Sequence, residues 1–87
     1  MKIFTNDEAR RRVLFADNLR YIIRSNKISI NKLAKKVGVS SSMIQHYKSG
    51  KTFPREDTIE KLAEGLGCTV DDLFDDTYAP WKFGLDD

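Results

Sequence analysis

Two short apolar repeats separated by only three residues, Gly38-Val39-Ser40, constrain this chain more than any other feature. Ile30, Leu33, Ala34 and Val37 recur at helical spacing behind Ser29, a residue suited to cap a helix N-terminus. Gly38 stops that helix, because glycine takes a left-handed backbone at a helix end without penalty. Ser40 then caps a second short helix, Ser41 to about Ser49, which Gly50 ends. A connection this short forces the two helices to cross steeply. Close crossing needs a small side chain at the contact, and Ala34 supplies it. Val39 and Ile44 fill the wedge between the helices.

The flanking segments extend the helical pattern. Phe15, Leu19, Ile22 and Ile23 lie on one helical face, and Thr5 with Glu8 fits a capping box that starts a helix near Asn6. The pattern leaves open whether 6–26 is one helix or two. Ile59, Leu62, Ala63 and Leu66 predict a helix from about Glu56 to Leu66, closed by Gly67. Thr69 is expected to cap a fifth, from Val70 to Phe74 or Asp75. At 87 residues the chain makes one small domain. The expected division is an arm and helix start over 1–12, a helical domain over 13–75 and a tail over 76–87. The tail has no period and carries Tyr78, Trp81, Phe83 and Leu85.

Several classes of function are disfavoured by inventory. A single cysteine, Cys68, makes no internal disulfide, and with a single histidine, His46, it cannot supply a zinc site. There is no phosphate-cradling glycine loop and no convergent acid pair, so neither enzyme activity nor a cofactor is expected. No apolar run approaches the ~20 residues of a membrane span, and the N-terminus has no signal-peptide core. A cytoplasmic protein is the expectation.

Charge points to a partner. Residues 1–53 hold twelve Lys/Arg and three acids, a net +9, whereas residues 54–87 hold three bases and ten acids, a net −7. One face of such a molecule attracts a polyanion, and nucleic acid is the obvious candidate. Around the helix 41–49, Met43, Ile44 and Tyr47 fall on one side. Ser41, Ser42, Gln45, His46 and Ser49 fall on the other, with no acid among them. A small, polar face of this kind fits a major groove and exchanges hydrogen bonds with base edges. The run Arg10-Arg11-Arg12 reads more simply as a solvated face than as a DNA-reaching arm.

The stretch Leu33-Ala34-Lys35-Lys36-Val37-Gly38-Val39-Ser40-Ser41-Ser42-Met43-Ile44, followed by Ser49-Gly50-Lys51-Thr52-Phe53-Pro54, Leu62-Ala63-Glu64-Gly65-Leu66-Gly67 and Val70-Asp71-Asp72-Leu73, resembles the helix-turn-helix family of phage repressors and Cro proteins, the XRE family. The likeness covers residues 19–74. It implies an all-α, five-helix, lambda-repressor-like domain that binds an inverted-repeat operator in double-stranded DNA as a homodimer. It further implies base reading by Ser41, Ser42, Gln45 and His46. Phosphate contacts would come from Asn31, Lys32, Ser40, Lys51 and Arg55. Three positions depart from the family pattern. Ile30 stands where a phosphate-bonding glutamine is frequent, and Ile23 and Lys48 replace an arginine–glutamate pair. Loss of both partners together avoids an unpaired buried charge and leaves Lys48 to reach phosphate.

Tyr47 and Met43 read as core, and Cys68 as a small packed hydrophobe. Asp71 and Asp72 suit the first turn of the fifth helix. Tyr78, Trp81 and Phe83 are candidates for a dimer or partner contact. The function expected is a transcriptional regulator, a repressor in the first instance. The alternative is an antitoxin or other module that holds a protein partner through the acidic, aromatic tail.

Overall fold

The computed structural model describes residues 6–75. Four α-helices follow in order: α1 (Asn6–Ser25), α2 (Ile30–Val37), α3 (Ser41–Ser49) and α4 (Glu56–Leu66). Helix α1 is a single unbroken helix. The fifth expected helix is instead one 3-10 turn, Asp71–Phe74. Its capping is as expected in kind: the Thr69 hydroxyl accepts from the Asp72 amide at 3.1 Å, and the Asp72 carboxylate accepts from the Thr69 amide at 3.0 Å. The turn goes no further because Asn18, fully buried in α1, donates its side-chain amide to the carbonyls of Leu73 at 3.0 Å and Asp75 at 2.8 Å. Asp75 is already extended. The five-helix expectation is thus corrected to four helices and a turn, and no strand occurs among the described residues. The arm 1–5 and the tail 76–87 lie outside them, as do Tyr78, Trp81 and Phe83.

The helices wrap one core. Helix α1 packs on α3 and on the 3-10 turn, and α2 packs on α3 and α4. Phe15, Leu19, Leu33, Ile44, Leu62 and Leu73 are sealed from solvent, with Ala34, Val37, Tyr47 and Ile59 buried around them. Met43 is half-buried against this cluster. Phe15 meets Phe53 edge to face at 5.4 Å between ring centroids and Phe74 at 5.8 Å. This aromatic group ties α1 to both ends of the chain that contains α4. Cys68 is half-buried, and burial pushes its thiol up, with the Asp72 carboxylate adding to the shift. No described helix is long and apolar enough to cross a membrane.

Two close approaches set the helix arrangement. Gly38 adopts φ +87°, and its amide and that of Val39 both return to the Ala34 carbonyl, at 2.8 and 3.0 Å. This turns the chain sharply from α2 into α3. Gly65, inside α4, faces α2: a Cβ there would sit 2.9 Å from Leu33 Cδ1 and 3.7 Å from Val37 Cγ2. Leu33 is only 1% exposed, and its side chain must shift to admit that atom. Helix α1 ends less comfortably. Ile28 donates to the Ile23 carbonyl at 2.9 Å across Lys27, a non-glycine residue held at φ +52°.

Gly65→Ala gains about 1 kcal/mol of helix propensity but overpacks the α2–α4 contact by ~1–3 kcal/mol. A net loss of about 1 kcal/mol in urea unfolding is expected, and a gain would show that α2 yields at no cost. Lys27→Gly removes a left-handed strain of ~1–2 kcal/mol against a smaller entropic cost in the unfolded chain. A stabilisation of about 0.5–1 kcal/mol is the expected result in the same assay.

Candidate nucleic-acid interface

The helix termini come first, because they are set by backbone alone. Helix α2 begins behind Ser29, whose hydroxyl accepts from the Lys32 amide at 3.3 Å. Helix α3 begins behind Ser40, whose hydroxyl accepts from the Met43 amide at 3.1 Å. Neither helix has an acid in its first turn. The partial positive charge at each N-terminus, with its unpaired leading amides, is therefore uncancelled by side chains. Helix α4 differs, since Glu56 and Asp57 occupy its first turn. Arg55, at the N-cap of α4, stands beside these two carboxylates and not in an unmixed basic patch.

The two helix starts meet. The Ser41 hydroxyl donates to the Asn31 side-chain carbonyl at 2.5 Å. An expected base reader and an expected phosphate ligand are thus one hydrogen-bonded unit that couples α2 to α3. Ser40, Ser42, Gln45 and Ser49 are exposed, whereas Ser41 and His46 are half-buried. The Ser49 hydroxyl donates to the His46 carbonyl at 3.1 Å. Burial of Ile44 and Tyr47 fixes the rotation of α3 that turns these polar residues outward. Lys32 is exposed on α2, and Lys51 is exposed in the loop after α3.

The C-terminus of α3 is held by a residue that sequence reasoning did not single out. The Arg20 guanidinium donates to the Lys48 backbone carbonyl and to the Asp17 carboxylate. Asp17 is 8% exposed and so has its charge matched at close range. The absent pair at Ile23 and Lys48 is replaced in effect by an arginine one turn earlier on α1, which grips main chain instead of a side chain. Such a group suits a helix C-terminus, where carbonyls lack partners. The i, i+3 spacing of Asp17 and Arg20 was the available signal. Asn18 had a signal too: it is an amide set among Leu14, Phe15 and Leu19 on the apolar side of α1.

The polar outer face of α3 is thus joined to the acid-free start of α2 through the Ser41–Asn31 hydrogen bond, and the exposed Lys51 follows two residues after α3 ends. An anionic rod with readable edges is the chemistry that this arrangement matches. Independent comparison agrees: the Helix-turn-helix family model (HTH_3) matches residues 19–73, well over half of the chain. No curated protein and no solved structure gave a match. The chain belongs to the helix-turn-helix family of Cro/C1-like DNA-binding proteins, the XRE family.

Proposed function

We propose that the protein is a transcriptional repressor that reads an inverted-repeat operator as a homodimer, with α3 of each copy in the major groove. The observation that carries this reading is the outer face of α3, which is small, polar and without an acid. Gln45 and His46 make the directional base contacts, since an amide pairs with adenine and an imidazole donates to a guanine acceptor. Ser41 and Ser42 add weaker, less discriminating bonds. Asn31, Lys32, Ser40 and Lys51 hold phosphates and set the register of the helix without reading sequence. Arg55 and Lys48 are secondary contributors. Carboxylates flank Arg55, and Lys48 is half-buried at the end of α3. Two copies reading successive turns of one groove require half-sites ~10 bp apart, centre to centre.

Selection from a random duplex pool at physiological salt tests the whole reading. Enrichment of an inverted repeat with that spacing is expected, and a featureless pool would remove the claim of sequence-specific reading. On the selected site, Gln45→Ala and His46→Ala should each cost ~1–3 kcal/mol and relax preference at one position. Lys51→Ala should weaken all sequences alike and reduce the salt slope by about one. Equal loss of specific and nonspecific binding in the Gln45 and His46 variants would show that the reading face lies elsewhere.

A further inference from the structure

A groove of about 460 Å³ lies between the turn that joins α1 to α2, one side of α2 and the last turn of α4. It is on the α4 side of α2, away from the junction with α3. Asn31 bonds Ser41 of α3, whereas Lys32 and Lys36, one turn apart, share the stripe that lines the groove. Lys36 Cβ is 3.7 Å from where a Cβ on Gly65 would lie. Lys27 adds a third ammonium from the turn, where its backbone is held at φ +52°. All three lysines are exposed, and none makes an ion pair among the described residues. Glu64 is the one acid among the described residues that line the groove. The wall formed by α4 carries acceptors. The amides of Gly67 and Cys68 return to the carbonyls of Glu64 and Ala63, which leaves the carbonyls of Gly65 and Leu66 without a hydrogen-bond partner among the described residues. Ile28, half-buried, and Leu66 add apolar surface to the lining.

We propose that this groove docks an acidic, extended segment of a partner protein. Carboxylates of the segment pair with Lys27 and Lys36. Its main-chain amides donate to the unpartnered carbonyls at the end of α4, and an apolar side chain covers Ile28 and Leu66. Main-chain bonds of this kind supply affinity, and the flanking charges supply selectivity. The carbonyl wall decides between a peptide and a duplex. A phosphate backbone has no N–H to give those acceptors, and Glu64 repels it. The groove is open to solvent, which suits a chain segment better than a small molecule, whose sites enclose most of its surface. The docking goes beyond the DNA reading and does not depend on it. Lys32 is shared with the proposed phosphate contacts, so Lys27 and Lys36 are the residues that test it.

The probe is a short fluorescein-labelled peptide of alternating aspartate and leucine, with the asparagine–leucine peptide as control. Anisotropy titrations of the full chain at physiological salt should show the acidic peptide bound and the control bound far more weakly. The double variant Lys27→Gln with Lys36→Gln should weaken the acidic peptide by about tenfold, the loss of two exposed ion pairs. Lys35→Gln with Lys51→Gln removes the same charge from outside the groove and should change affinity by less than about twofold. Glu64→Gln should tighten binding by about twofold. Circular dichroism should confirm helical content for each variant. In amide NMR spectra the peptide should move the resonances of Ile28, Gly65 and Gly67 and leave Gly38 and Gly50 in place. Equal losses in the two double variants, or shifts concentrated in α3 and at Lys51, would show general attraction of a polyanion and overturn the docking. Absence of binding at millimolar peptide overturns it as well. Groove resonances that move with protein concentration alone assign the groove to a second copy of the chain and overturn the choice of partner.

Discussion

Burial of Ile44 and Tyr47 decides what α3 offers to the outside. Each apolar side chain of this size gains ~1.5–3 kcal/mol on leaving water, and the two lie on the same side of a nine-residue helix. Any rotation of α3 that hid its serines would expose them. The crossing at Gly38 and the seat provided by Ala34 give Ile44 somewhere to go. The approach of α2 to α4 at Gly65 then closes the pocket from the opposite side of α2. The outward face of α3 is thus a by-product of core packing, and at its exposed positions Ser42 and Gln45 the chemistry is open to variation at little cost to the fold.

The molecule also separates its charges by structural role. Acids are absent from the first turns of α2 and α3 and present in the first turn of α4. By the usual rule, an acid near a helix N-terminus stabilises it by ~0.3–1 kcal/mol. Helices α2 and α3 forgo that gain and rely on serine caps alone. What they keep is a positive end that an external anion can occupy. One ion pair of α1, Asp17 with Arg20, faces inward to the end of α3 and supports the helix without diluting the outer surface.

Much of this was legible from residue order. The boundaries of α2, α3 and α4 follow from a capping serine or an apolar period at one end and a glycine at the other, and the structure has them at the expected residues. The polar composition of the α3 face was legible for the same reason, since rotation follows from the apolar stripe. What escaped was tertiary. The span of Asp71–Phe74 as a 3-10 turn depends on Asn18, which is far away in sequence. The grip of Arg20 on the Lys48 carbonyl involves main chain, and main chain leaves no trace in a residue pattern. The pairing of Ser41 with Asn31 needs the crossing angle of α2 and α3, which spacing bounds but does not determine. The placement of Arg11 over Phe74 and of Arg12 over Phe53 depends on where those two rings come to rest.

Asn18 has a consequence for the order in which the molecule is completed. Its amide nitrogen donates to carbonyls 55 and 57 positions later, whereas the contacts of α2 with α3 are local. On a chain emerging from the ribosome, the helix pair that carries the polar face is made well before the residues that seal α1. Until Leu73 and Asp75 reach α1, water alone accepts from that amide. Docking the last turn onto that amide ends the period in which the apolar side of α1 lies open. The late-made end of the domain is therefore a closing clasp on α1.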